Sequence, residues 1–551
     1  MTSTLIVGAG SAGCVLAARL SADPDHAVRV LEAGPVWPSL ADLPAELLDP
    51  AHLPVGPESP VVWRYPGNLV RGKLIGGSGA VNGSYFVRPP ATDFAAWSAA
   101  ARSSRWSFDA VLPTFRALEH DLDFGTAPGH GDRGPIPVLR TADPTPFSAE
   151  FARACAAAGF PERADLNAPQ EPVPWTRAWS PAPDTASSVD PTAASDIDSA
   201  PVADAAAGTG SAASTSDHER RRTTRADSAV GHPPSNADRA VVGGQAAAEF
   251  GGRPMAACSG AGFGRVPLAM SAGRRAGPAV THLFPALDRA NLTVIGSTMA
   301  TRLLLRGNRV VGVEWVRGRA RGRAYADRVV LCAGAVESAA LLIRSGIGPE
   351  SQLRSLGVPV VLPAPVGAWC TDHPEIGVEF AGPAATTQAV ALEYLLEVGD
   401  LELRPYTPMF TPGLRRLGVA LMRPESTGEL TLVSADPAVS PRIDQGYLRS
   451  ATDRAALRSG VELAAQLIGL RVGQVDDPWL RAHLGTSQHL SGTCRMGPAE
   501  DERAVVDELG AVHGIDALTV ADLSIVPVPL GRGPQATVVM QASAIAESMA
   551  V

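Results

Sequence analysis

Short apolar runs and a glycine-rich turn mark the beginning of the chain. Apolar residues 4–7 precede the turn GAGSAG at 8–13, a helical pattern over 14–23 and a second apolar run over 28–34. A strand, a helix and a second strand in this order predict a βαβ unit. The sequence therefore predicts an α/β fold with a Rossmann-like parallel sheet.

Further apolar patterns follow residue 260. Residues 417–444 alternate between apolar and polar positions, which predicts antiparallel strands. The other segments predict strands over 291–297, 309–316 and 517–522, a strand followed by a helix over 326–346, and helices over 451–469 and after Pro534.

Residues 166–258 differ in composition from the rest of the chain. The stretch 180–217 consists of Ala, Ser, Asp, Pro and Thr with almost no large apolar side chain. Such a segment cannot bury enough surface to offset its ordering entropy. We predict a low-complexity, disordered insertion inside the fold.

The overall composition narrows the class of protein. The chain has 551 residues, of which 45% are hydrophobic and 19% charged, as expected for a soluble globular protein of two or more domains. A net charge of −9 gives no basic face for nucleic acid, and no apolar run approaches the ~20 residues of a membrane span. The six cysteines have no metal-site spacing, so we predict reduced thiols, no metal and a cytoplasmic location, leaving a peripheral membrane contact open.

The turn at 8–13 has the spacing of a dinucleotide-binding turn. Gly8, Gly10 and Gly13 follow a strand and open a helix, whose free N–H groups can bind phosphates. Glu32 ends the next strand and can accept hydrogen bonds from ribose hydroxyls. The sequence predicts an ADP-containing dinucleotide, without choosing between FAD and NAD.

A second glycine-rich turn lies in residues 70–97. Gly76, Gly77 and Ser78 are followed closely by Asn82 and Gly83. This glycine content suits a backbone that lies against a planar ring, and the alternative is a plain surface loop.

Three extended motifs together resemble the glucose–methanol–choline (GMC) oxidoreductase family. Residues 70–97 resemble its first signature, 334–349 its second, and 489–550 its C-terminal block. The resemblance covers about 1–140 and 280–551.

The resemblance implies a fold, a cofactor and a reaction. It implies a discontinuous FAD-binding domain formed by 1–150, 260–365 and 485–551. Residues 366–484 would form a substrate domain on a mainly antiparallel sheet. The reaction would be the transfer of hydride from an alcohol to the flavin.

The resemblance also implies a set of cofactor-binding residues. Some members carry a histidine that bonds the flavin covalently, but this chain has Val81 there, so we predict non-covalent FAD. The implied contacts are Gly8, Gly10, Ser11, Gly13, Glu32 and Ala33 for the ADP half, Gly76, Gly77, Ser78, Asn82 and Gly83 for the flavin, Asp522 for the ribityl chain, and Ala333, Gln535, Ala536 and Thr537.

The family's catalytic histidine corresponds to His489. An imidazole is a suitable base for a hydroxyl proton at neutral pH. His373 and His513 are interpreted as structural. Members usually carry a second His or Asn where this chain has Gly533, and we hypothesise that this glycine opens room for a bulky donor. Arg532 beside it is a candidate for stabilising an alkoxide.

The electron acceptor is less well defined. Only one dinucleotide turn is present and no redox cysteine pair, so we predict an acceptor other than bound NAD: a quinone, a respiratory carrier or oxygen. Residues 372–375 and 401–410 are similar to the mycofactocin-associated branch, which implies a dehydrogenase that re-oxidises reduced mycofactocin. The alternatives are an oxidase or choline-type dehydrogenase of a small alcohol, a hydroxynitrile lyase, and a non-catalytic FAD-binding module.

Overall fold

A five-stranded parallel sheet is the centre of the first structural region. The computed structural model describes residues 2–169, 260–382 and 390–549. All four neighbouring strand pairs of this sheet are parallel, which confirms the α/β prediction. From edge to edge the strands are Leu292–Ile295, His26–Leu31, Thr2–Val7, Arg328–Leu331 and Leu518–Val520.

Ten α-helices are present in the described residues. The first covers Ser11–Leu20, buries most of its side chains and packs against the last, Gln535–Met549, so the two ends of the chain meet. The others are Ala45–Leu48, Ala91–Ala101, Phe108–Leu118, Pro146–Ala157, Gly334–Arg344, Glu350–Ser355, Ala451–Leu467 and Asp477–His483.

A six-stranded antiparallel sheet forms the second region. The helix Ala451–Leu467 packs on one face of it, over a core of Leu, Val and Ile side chains. One edge strand, Gly262–Arg265, and two residues of the other, 485–486, lie outside 366–484, so the sheet includes residues predicted to belong to the FAD-binding domain. In spatial order the strands are Leu484–Thr486, Pro374–Ala381, Leu414–Leu421, Leu401–Thr411, Tyr394–Val398 and Gly262–Arg265.

Smaller sheets complete the described fold. A three-stranded sheet consists of Met299–Arg306, Arg309–Arg317 and Ala320–Tyr325, and a four-stranded one of Glu119–Asp121, Ile136–Leu139, Leu268–Ser271 and Arg274–Arg275. The two-stranded pairs are Val62–Tyr65 with Leu69–Gly72, Ile347–Gly348 with Leu362–Pro363, and Glu429–Thr431 with Arg442–Asp444.

This architecture does not test every prediction made from the sequence. The predicted insertion at 166–258 lies almost wholly outside the described residues. Within the ranges that the structure describes, no helix is long and apolar enough to cross a membrane. The cytoplasmic location and the domain boundaries stay predictions.

Candidate active site

The turn after the first strand admits only glycine at two of its positions. Gly8 has a φ of +97°, and a Cβ there would lie 2.5 Å from the carbonyl oxygen of Cys332. A Cβ on Gly13 would lie 2.0 Å from the carbonyl oxygen of Gly8. The turn therefore brings strand and helix together more closely than any side chain permits.

Glu32 lies beside this turn with its carboxylate in a fixed orientation. Oε2 accepts a hydrogen bond from the Ala9 N–H and Oε1 from the Gly34 N–H, both at 2.8 Å. Burial raises the pKa of Glu32 to about 7, against the lowering effect of these two hydrogen bonds. Each carboxylate oxygen keeps a second lone pair. The group therefore fits two ribose hydroxyls as donors.

The second glycine-rich loop is pressed against the first. The Gly76 N–H donates to the Ala9 carbonyl at 2.7 Å, and a Cβ on Gly77 would lie 2.8 Å from Gly10 Cα. The Gln535 Oε1 accepts from the Ser11 hydroxyl at 3.2 Å. The two loops and the last helix thus form one wall.

These elements line one cleft. Asp522 lies on its wall and accepts hydrogen bonds from the Gly334 N–H and the Ser338 hydroxyl, and burial raises its pKa. The predicted residues that line the cleft are Gly8, Gly10, Ser11, Glu32, Ala33, Gly77, Ser78, Ala333, Asp522 and Gln535. Those that do not line it are Gly13, Gly76, Asn82, Gly83, Ala536 and Thr537, together with the candidate catalytic residues His489 and Arg532. The glycine cradle and the carboxylate fit FAD, while each individual contact stays a prediction.

His489 lies against a second imidazole that the sequence analysis treated as structural. The Nδ1 atoms of His489 and His373 are 2.8 Å apart, with the ring planes at 82°. The two residues meet because the strand Pro374–Ala381 pairs with Leu484–Thr486. Nothing in the sequence pattern indicates this pairing, since the two segments are far apart in the chain.

Asp372 fixes the backbone of both histidines. Its Oδ1 accepts from the N–H of His373 at 2.8 Å and from the N–H of His489 at 2.7 Å. Its Oδ2 accepts from the Thr486 hydroxyl at 2.8 Å. One buried carboxylate therefore holds both imidazoles in place.

Both imidazoles are neutral at pH 7. Burial, followed by the effects of His373, Arg404 and Arg71, lowers the pKa of His489 well below its usual value. Burial likewise lowers the pKa of His373 to about 3. In a contact between two neutral imidazoles, one Nδ1 donates and the other accepts.

Backbone carbonyl groups also act on the His373 ring. Those of Leu530 and Met422 raise the pKa of His373, against the larger effect of burial. Which ring donates in the Nδ1 contact depends on the tautomer: with the proton of His489 on Nδ1, its Nε2 keeps a free lone pair.

The space beside Gly533 is occupied. A Cβ on Gly533 would lie 2.8 Å from Tyr85 Cε1 and 3.7 Å from His489 Cε1. The expectation that this glycine opens room for a bulky donor is therefore wrong in this structure, because the ring of Tyr85 fills that room. The sequence carried no signal for Tyr85.

Arg532 is buried in an ion pair. Its Nε and Nη2 donate to the carboxylate of Glu397, with the Nη2 contact at 2.6 Å, and Nη1 reaches the Leu166 carbonyl at 3.4 Å. All three nitrogens therefore have partners. Its predicted role at an alkoxide stays a prediction, and its observed role is to anchor the loop before the last helix.

A separate buried cluster contains three residues of metal-ligand type, Glu119, Asp121 and His130. Arg88 pairs with Glu119, and Arg140 pairs with Asp121 at 2.5 Å. Burial opposes protonation of His130, but hydrogen bonds to its carboxylate neighbours raise its pKa to about 10. Guanidinium and imidazolium cations thus already neutralise these carboxylates.

Comparison with known proteins identifies the family to which this chain belongs. The GMC oxidoreductase family models match residues 424–542 and residues 2–174 with 229–375. An uncharacterised GMC-type oxidoreductase of Rhodococcus erythropolis is 37% identical over 98% of this chain and 96% of its own. The mitochondrial choline dehydrogenase of Mus musculus is 28% identical over 98% of this chain and 88% of its own.

Two further relatives are oxidases by name. The 5-(hydroxymethyl)furfural oxidase of Methylovorus sp. is 28% identical over 100% of this chain and 99% of its own. The crystal structure of pyridoxine 4-oxidase from Mesorbium loti superposes with a TM-score of 0.76 at 26% identity, covering 100% of this chain and 99% of that one. This chain therefore belongs to the GMC oxidoreductase family of FAD-dependent enzymes and is an oxidoreductase that acts on CH–OH donors.

Proposed function

We propose that this protein oxidises the CH–OH group of its donor, with His489 as the base that takes the hydroxyl proton. The observation that carries the proposal is the contact between the Nδ1 atoms of His489 and His373. When the proton of His489 lies on Nδ1 in this contact, its Nε2 is left as an acceptor. A neutral base with a free lone pair is what removal of a hydroxyl proton requires.

The protein also provides for the charge that proton transfer creates. When Nε2 of His489 takes the proton, its Nδ1–H becomes a charged donor to Nδ1 of His373, and such hydrogen bonds are stronger than neutral ones. Asp372 keeps the two rings in register during this change. When bound, FAD supplies the acceptor for the hydride that leaves the carbinol carbon.

We propose that FAD is held without a covalent bond. The glycine turn accommodates the diphosphate, and Glu32 accepts from the ribose. Val81, at the position of the linking histidine in some members, carries no nucleophilic atom. Acid precipitation of the purified protein should therefore leave all of the yellow colour in the supernatant, whereas colour in the pellet would contradict the proposal.

The donor and the acceptor are separate parts of the proposal. Reduced mycofactocin is one candidate donor, implied by the resemblance of residues 372–375 and 401–410. Relatives named as oxidases of (hydroxymethyl)furfural and pyridoxine support the second candidate, a small-alcohol oxidase. Anaerobic titration with benzyl alcohol, choline, pyridoxine and reduced mycofactocin, followed by air or a quinone, distinguishes them by which donor bleaches the flavin and what restores it.

A histidine variant tests the base itself. In His489→Ala the rate of anaerobic flavin reduction by the best donor should fall by about 10²- to 10⁴-fold, while the FAD content stays unchanged. The exposed His52 provides a matched control, and His52→Ala should reduce at the rate of the unmodified protein. Unchanged reduction in His489→Ala would refute the proposal, and cyanohydrin cleavage without bleaching would replace it with a lyase.

A further inference from the structure

A side chain at Gly533 would meet the rings of Tyr85 and His489. A Cβ at this position would be 2.8 and 2.9 Å from two ring carbons of Tyr85, and 3.7 Å from Cε1 of His489. The backbone of Gly533 does not have a positive φ. Among the described residues, the ring of Tyr85 is therefore the closest obstacle to a side chain there, and the His489 ring is the next.

A hydrogen-bonded chain of side chains holds Tyr85 in this position. Its hydroxyl donates to Glu402 Oε1 at 2.9 Å, and Glu402 Oε2 accepts from Arg404 at 2.6 Å. Arg404 also donates to Glu375 Oε2 at 2.9 Å, and the same oxygen accepts from the Ser487 hydroxyl at 2.7 Å. Glu402 is 1% exposed, so rotation of Tyr85 away from it would remove a partner from a buried carboxylate.

The backbone of Tyr85 is fixed as well. Tyr85 forms an isolated antiparallel bridge with Leu268, and the next residue, Phe86, donates its N–H to the Pro267 carbonyl at 2.9 Å. The ring is thus anchored at both its base and its hydroxyl. The ring cannot move aside for a ligand without breaking one of these contacts.

We propose that Tyr85 is a specificity-determining residue that restricts donors to primary alcohols. A secondary alcohol carries a second carbon on the carbinol atom, and that carbon needs room beside the base. The room beside Gly533 is the place for it, and the Tyr85 ring fills that room. This inference rests on the proposed role of His489.

The first experiment compares a primary alcohol with its α-methyl derivative. The probes are benzyl alcohol and 1-phenylethanol, measured by anaerobic flavin reduction and by the change in flavin absorbance on binding. Tyr85→Ala should raise the ratio of kcat/KM for 1-phenylethanol over benzyl alcohol at least about ten-fold, as expected for space for one to two methyl groups. Tyr85→Phe keeps the ring and should leave that ratio within about two-fold of the original. An unchanged ratio in Tyr85→Ala refutes the proposal.

The second experiment uses size complementation and does not depend on turnover. Gly533→Ala should weaken the binding of benzyl alcohol and lower the melting temperature, because its Cβ collides with the Tyr85 ring. In the Tyr85→Ala background the same Gly533→Ala substitution should cause no further loss of binding or of melting temperature, because the ring with which its Cβ collides is gone. Gly473, where an added Cβ would meet nothing within 4 Å, gives the neutral control Gly473→Ala.

The two experiments separate failure of the inference from failure of the proposed function. If His489→Ala reduces normally but complementation succeeds, the base is misassigned and the ring still shapes the pocket. If Gly533→Ala is as stable and binds as well as the unmodified protein, the ring does not occupy the site and the inference is refuted.

Discussion

The nucleotide cradle and the histidine pair are built in opposite ways. In the cradle, residues 8–13 and Glu32 come from one βαβ unit, and backbone atoms make most of the contacts. In the pair, His373 and His489 come from distant segments, and side chains make the decisive contacts. The cradle is therefore a local structure, whereas the histidine pair forms only when the strands of the antiparallel sheet have paired.

This difference determines how each region should respond to change. The cradle tolerates no added atom at Gly8 or Gly13, because a Cβ there would collide with backbone atoms that cannot move aside. The histidine pair depends on hydrogen bonds that Asp372 accepts, and a similar side chain can accept them in its place. A substitution in the cradle should therefore abolish FAD binding, whereas a substitution at the histidine pair should lower the activity only in part.

The largest effect is expected in the cradle. In Gly13→Ala the new Cβ would lie 2.0 Å from the Gly8 carbonyl oxygen, so the turn cannot form as observed. The FAD content of the purified protein, from its absorbance spectrum, should fall at least about ten-fold. Gly56→Ala, with open space around it, should keep full FAD occupancy. Full occupancy in Gly13→Ala would contradict the described geometry.

The next effect concerns the ion pair that anchors the loop before the last helix. Arg532→Met leaves Glu397 with only the Arg163 contact, and the free energy of unfolding should drop by about 3 kcal/mol. Urea denaturation measures this. The exposed Arg503 supplies the control Arg503→Met, with a change near zero. A stable Arg532→Met protein that reduces its flavin slowly would instead assign Arg532 a catalytic role.

A graded loss is expected at the residue that positions the two rings. Asp372→Ala removes three hydrogen bonds, and kcat should fall by about 10- to 100-fold while FAD stays bound. Asp372→Asn keeps an acceptor for both N–H groups and should recover most of kcat. Equal kcat values for the two variants would show that the carboxylate does not position the rings.

The smallest effect is a difference in pH response between the two regions. Burial lowers the pKa of His489, so kcat/KM should not fall as the pH is lowered through 6.5, because the base stays neutral. Burial raises the pKa of Glu32 to about 7, so its carboxylate takes up a proton below that pH and FAD affinity of the apoprotein should weaken. Steady-state rates at saturating FAD and a fluorescence titration of apoprotein measure the two. An acid limb of kcat/KM at or above pH 6.5 would contradict the first expectation.

Much of the cradle was determined by the sequence alone. The sequence predicts how the turn with Gly8, Gly10 and Gly13 and the acidic residue at the end of the next strand are arranged. It can do so because the turn, the adjoining strand and the helix are close in sequence. The parallel sheet was predicted for the same reason. The sequence also placed His489 in a motif, because that motif lies within a single segment of the chain.

Only the tertiary structure decided what surrounds His489. Strand pairing between 374–381 and 484–486 brings His373 to Nδ1 of His489, and the sequence analysis had assigned that histidine a structural role. Tyr85 reaches Gly533 through a bridge to Leu268 and a hydrogen bond to Glu402. A local sequence pattern determines which residues share a turn or one face of an element. Contacts between distant segments depend instead on which strands pair and in which register, and no single stretch of sequence contains that information.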